Sequence, residues 1–77
     1  MNTRRQPMTK VKRARLDLGI RVSDLAELVG IDQGQMSRIE NGKQIPRSRD
    51  RVERIAKALG LDPIDVVFNE PDEEIAA

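Results

Sequence analysis

A chain of 77 residues with no cysteine and no histidine has room for one small domain, and it excludes a disulfide framework and a Cys/His zinc site. No apolar run approaches the roughly 18 residues of a membrane span, and residues 1–10 lack the apolar centre of a signal peptide, so a cytoplasmic protein with no membrane partner is expected. The net charge of +1 hides a division: residues 1–60 carry all 14 Lys and Arg with 7 of the 13 acids, whereas 61–77 carry the other 6 acids and no base, a basic body that suits either a polyanionic partner or an ordinary solvated surface.

Residues 1–8 read as a flexible basic arm. Helical spacing begins after Thr9, a candidate N-cap, with Val11, Ala14 and Leu18 on one stripe and Gly19 as terminator. The next stripe is Val22, Leu25, Ala26 and Val29, ended by Gly30. Asp32 opens a third helix with Gln35 as its capping-box partner; Met36 and Ile39 are its apolar face, and Asn41-Gly42 closes it. Ser48 caps a fourth helix carrying Val52, Ile55, Ala56 and Leu59, and Gly60-Leu61 has the form of a Schellman end. Asp62-Pro63 starts a short fifth helix with Ile64, Val67 and Phe68 as its apolar face. Residues 69–77 read as an acidic disordered tail, leaving one folded domain over 9–68. With Phe68 the only aromatic residue, its stability rests on aliphatic packing.

Helices two and three are separated by Gly30-Ile31-Asp32 alone, which forces them to cross steeply. A small residue is needed where they approach, a glycine in the turn, and apolar cover over the crossing. Ala26, Gly30, Met36 and Ile39 meet these demands in the spacing Ala-x3-Gly-x5-Met-x2-Ile, which resembles a DNA-binding helix-turn-helix, although a helical protein can match it by chance.

The run Leu25-Ala26-Glu27-Leu28-Val29-Gly30-Ile31, followed by Met36-Ser37-Arg38-Ile39-Glu40-Asn41-Gly42-Lys43 and Pro46, resembles the Cro and cI-type (Xre) repressor family. The resemblance spans about Thr9 to Phe68. It implies an all-α, compact five-helix bundle of the lambda-repressor-like kind, a third helix lying in the major groove of double-stranded DNA, and a homodimer on a near-palindromic operator.

Counting 100° per residue around the third helix turns Met36, Ile39 and Glu40 inward. Gly34, Ser37, Arg38 and Asn41 face outward, and Gln33 and Gln35 sit at the exposed N-terminal end. Glutamine and arginine match the edges of adenine and guanine bidentately, although ordinary polar surface is the competing reading of Gln33, Gln35 and Ser37. The resemblance puts Gln33, Gly34 and Arg38 at base-reading positions, with Ser37 on the same face. Gly34 departs from the pattern, having no side chain to read with; it would let the backbone come close to the bases. Backbone phosphates fall to Arg21, Gln35, Asn41, Lys43 and Arg47, helped by the amides after Gly42. Arg21-Val22 stands where the family has Ser or Thr followed by Gln. Arg21 cannot cap a helix with its side chain, so the second helix is expected to start nearer Ser23.

Arg15 and Glu40 both fall on buried stripes, where a lone charge would cost several kcal/mol. They are expected to pair across helices one and three, as the resemblance also implies. The pair is architectural and need not touch DNA.

No enzyme is expected: there is no His, Cys, Tyr or Trp, no Gly-rich phosphate loop and no unexplained carboxylate cluster. No cofactor and no metal is implied. The function expected is a bacterial or phage repressor at the nucleoid, dimerising through the fifth helix with Val66 and Phe68 at the interface; the competing reading is that Ile64, Val66, Val67 and Phe68 simply cap the bundle. The alternative is an antitoxin that binds a toxin through its arm or tail and regulates its own operon. The end Ile75-Ala76-Ala77 has the small apolar character read by unfolding proteases.

Overall fold

Caps and stripes place the helices. A computed structural model of the protein describes residues 8–69, in which α1 spans Lys10–Leu18, α2 Val22–Val29, α3 Gln33–Glu40, α4 Arg49–Leu59 and α5 Pro63–Val67. The fold is all-α. Residues 1–7 and 70–77, which hold nearly all of the basic arm and the acidic tail and the whole Ile75-Ala76-Ala77 end, lie outside the described residues.

Thr9 caps α1, its hydroxyl accepting the Lys12 N–H at 3.2 Å. Ser48 does the same for α4 through the Arg51 N–H, also at 3.2 Å. The α4 stripe Val52, Ile55, Ala56 and Leu59 is buried whole, as are Leu25, Ala26 and Val29 of α2. Together with Val11, Met36, Ile39 and Val66 they make one core, which α4 joins to α1, α2 and α5. Leu61 N–H donates to the Ala56 carbonyl at 2.9 Å, the long bond of a Schellman end.

Four expectations are corrected. Leu18 is not on the core stripe but 53% exposed, like Leu16 and Asp17 before it in the last turn of α1. The second helix starts at Val22 rather than near Ser23. Asp24 solves the capping problem that Arg21 cannot: its carboxylate reaches back to the Arg21 N–H at 3.1 Å. Asp62 occupies the N-cap position of α5 but makes no side-chain cap bond; Pro63 at the first helical position removes one donor that would have needed it.

The fourth correction concerns α5 itself. Val66, expected at a dimer interface, is 1% exposed and belongs to the core. Ile64 and Val67, placed with Phe68 on the apolar face, are 59% and 37% exposed, and Phe68, expected also at the interface, is 61% exposed. A helix of five residues turns only about once and a half, so its sequence names no face; packing against α1 and α4 selects Val66.

Candidate nucleic-acid interface

The turn between α2 and α3 is built from backbone geometry first. Gly30 takes φ 85°, a left-handed conformation that side chains rarely adopt. Its N–H and that of Ile31 both donate to the Ala26 carbonyl, at 2.7 and 3.0 Å. Arg54 reaches over from α4 and donates Nη1 to the Val29 carbonyl at 3.2 Å, satisfying an acceptor at the end of α2 that lacks a basic residue of its own. Asp32 then caps α3, accepting the Gly34 and Gln35 amides at 2.9 and 3.2 Å. The Gln35 side chain returns no bond to Asp32, so this is a plain N-cap rather than a capping box.

Three residues fix the inner side of α3. Met36 and Ile39 are completely buried and Glu40 is 3% exposed. Arg15 of α1 donates Nε to Glu40 Oε2 and Nη1 to the Ile20 carbonyl, the latter at 2.8 Å. The carboxylate and the guanidinium are thus both engaged where water is nearly absent, the condition under which a buried ion pair is tolerated. Thr9 adds a bond from its hydroxyl to the Glu40 carbonyl. Asn69 completes the tie: Oδ1 accepts the Val11 N–H and Nδ2 donates to the Ile39 carbonyl, both at 2.9 Å. Every buried side-chain nitrogen and oxygen among the described residues has a partner.

Asn69 was missed by the sequence reading, which placed it in the acidic tail. The structure instead uses it to join the start of α1 to the end of α3. Nothing in its local sequence announces this, since a polar residue after a short helix looks like any loop.

The outer side of α3 is different. Gln33, Gly34 and Arg38 are exposed, with Ser37 and Gln35 half-buried beside them. Asn41, Lys43 and Arg47 are exposed around the following turn, and Lys43 and Arg47 make no ion pair among the described residues. Arg21 stands at the start of α2 with its side chain 82% exposed and its Nε held by Asp24 at 3.3 Å. The Arg21 amide, and after it the Arg21 guanidinium, hold the Asp24 carboxyl below its ordinary pKa.

One of the amides expected to help with phosphates is already engaged. Gly42 adopts φ 74° and closes α3 in a Schellman motif. The Gly42 N–H donates to Ile39 at 3.0 Å and the Lys43 N–H to Arg38 at 2.9 Å. Those two amides serve the end of the helix, so the Lys43 amide that follows Gly42 does not point to a phosphate, and what Lys43 offers outward is its side chain.

Among the described residues no group of acidic side chains could hold a metal ion, and no helix is long and apolar enough to cross a membrane. A family model described as a helix-turn-helix domain matches residues 9–67. Neither a curated relative nor a solved structure matches the chain.

Proposed function

The chain belongs to the helix-turn-helix domain family and is a DNA-binding protein of the kind that serves transcription regulation; from that premise we propose that it is a sequence-specific repressor acting as a dimer on an inverted-repeat operator. The observation that carries this reading is the division of α3: one side locked into the core, the other presenting Gln33, Ser37 and Arg38 to solvent beside the cations Lys43 and Arg47. A rigid helix with polar, hydrogen-bonding ends outward and positive charge at its flank is what reading a major groove requires. Arg38 is the principal reader, matched to guanine. Gln33 and Ser37 contact neighbouring bases. Arg21, Gln35, Asn41, Lys43 and Arg47 hold phosphates.

Dimerisation is supported by the exposed apolar side chains of α5. Ile64, Val67 and Phe68 border a shallow groove whose other wall includes Ile45 and Pro46, so the apolar surface there is larger than α5 alone provides. Two copies joined at that surface double the length of DNA read, with half-sites about one helical turn apart.

Selection of bound duplexes from a random library tests both parts. Wild type is expected to enrich an inverted repeat, and Arg38→Ala to flatten one base pair per half-site, a loss of about 1–3 kcal/mol of discrimination. Phe68→Asp is expected to abolish the inverted repeat and to sediment as a monomer. Enrichment of the same repeat by Arg38→Ala would sink the base-reading assignment. A Phe68→Asp protein that still dimerises would place the interface elsewhere.

A further inference from the structure

We propose that Gln44 and Gly34 are specificity-determining residues that act by holding the Arg38 guanidinium in its reading position before DNA arrives; the proposal rests on Arg38 being the base reader.

Gln44 lies in the loop after α3, half-buried, and its side-chain oxygen accepts the Arg38 Nε–H at 3.1 Å. That bond joins a helix side chain to a loop six residues on, so it constrains the arginine from outside its own helix. With Nε committed, the donors left to Arg38 are those of Nη1 and Nη2, the end-on fork whose spacing fits O6 and N7 of one guanine. Gln44 therefore selects which edge of the guanidinium faces the groove.

Gly34 supplies the other half. It precedes Arg38 by one helical turn, and side chains on a helix lean toward the N-terminus, so Arg38 lies over position 34. A Cβ at that position would be 3.8 Å from Arg38 Nη1 and 3.1 Å from Asp32 Oδ2. The methyl of an alanine would press on the capping carboxylate and lie in ordinary contact with the guanidinium, so glycine leaves the arginine the most room. A glycine inside a helix costs stability. Here it leaves a bare strip of helix along which the arginine can lie. Gly34 thereby gains a role that neither base reading nor close backbone approach requires.

An exposed arginine samples many rotamers, and fixing one on binding lowers affinity for the correct site. Gln44 and Gly34 reduce that loss for one geometry only. Both should therefore affect discrimination at the Arg38 base pair, and loss of Gln44 should do so while leaving non-specific affinity and folding nearly alone.

The test combines binding with nuclear magnetic resonance on the full chain. In the DNA-free protein, the Arg38 Nε–H resonance is expected to be visible and slowly exchanging, and to broaden into solvent exchange in Gln44→Ala. Binding is then measured to the selected duplex and to the same duplex changed at the one base pair that Arg38→Ala flattens. Gln44→Ala and Gly34→Gln should each lower the ratio of the two affinities by about two- to tenfold, the range of one freed side chain. For Gln44→Ala, affinity for unrelated DNA and the thermal midpoint should stay at wild-type values, whereas Gly34→Gln, which crowds the Asp32 cap, is read on the affinity ratio alone. Gln44→Glu keeps the acceptor oxygen, so it should weaken binding to all duplexes by charge yet preserve the ratio. A wild-type ratio in Gln44→Ala, or an equal loss in Gln44→Glu, overturns the positioning role while Arg38 keeps its own. If Arg38→Ala leaves every base preference intact, the base-reading assignment fails and this proposal fails with it.

Discussion

The two sides of α3 have opposite construction. Inward, Glu40 is gripped by Arg15 and its carbonyl by Thr9, while Asn69 holds the neighbouring carbonyl of Ile39. Outward, Arg38 has one side-chain partner, Gln44, and Gln33 and Ser37 have none among the described residues. Burial makes the inner contacts expensive to break, because each orphaned group would be left without water. Exposure makes the outer ones cheap to break and easy to exchange for contacts with DNA. A short helix can thus be held rigidly and still offer unspent hydrogen-bonding groups, provided the two demands fall on different faces.

The largest effect should come from the inner side. Arg15→Ala or Glu40→Ala strands the other charge in the core and is expected to cost about 3–5 kcal/mol, much of the stability of so small a domain. Replacing both by Met and Leu should recover most of it. Urea titration of the four proteins in that cycle measures this, and strictly additive losses would show that the two residues are not coupled.

A smaller loss is expected for Asn69→Ala, about 1–3 kcal/mol, since the Val11 N–H loses its acceptor whereas the Ile39 carbonyl keeps the Gly42 N–H. Asn69→Asp preserves the acceptor for Val11 and should fall between the two. Unchanged melting of Asn69→Ala would return this residue to the tail, where local sequence puts it.

Arg38→Ala sharpens the contrast from the other side. Its thermal midpoint should match wild type within the scatter of surface substitutions, about 0.5 kcal/mol, although it alters base preference. A destabilisation as large as that of Asn69→Ala would mean that the outer face is structural after all.

The smallest effect is a pH dependence at the start of α2. Asp24 has a folded-state pKa depressed by the Arg21 amide and guanidinium, so its contribution is complete above the ordinary value of 3.8 and disappears as pH falls through the lower folded value. The difference in thermal midpoint between wild type and Asp24→Ala should accordingly be constant near neutrality and vanish in acid. A difference that grows on acidification would reverse the sign of this linkage.

Much of the molecule was legible from local patterns. Helix existence, the buried stripes of α2 and α4, the glycine in the turn and the inward side of α3 all follow from spacing and caps, which act over four or five residues. The Arg15 and Glu40 side chains could be matched because each stripe left a charge that burial would not allow alone. Where the periodicity was short or the partner distant, local pattern was silent. The five residues of α5 cover too little of a turn to say that Val66 goes in while Ile64 and Val67 stay out, and Asn69 resembles any residue leaving a helix.

By itself, then, the sequence determined five helices, the helix-turn-helix and the face of α3 that turns to solvent, because backbone hydrogen bonding and amphipathic period are short-range. Only the tertiary structure decided which side chain of α5 joins the core, that Asn69 ties α1 to α3, that Asp24 caps α2 in place of Arg21, and that Gln44 meets Arg38 above Gly34. Most of those contacts join residues from different elements, and the remainder depend on which rotamer a side chain adopts once its neighbours are packed.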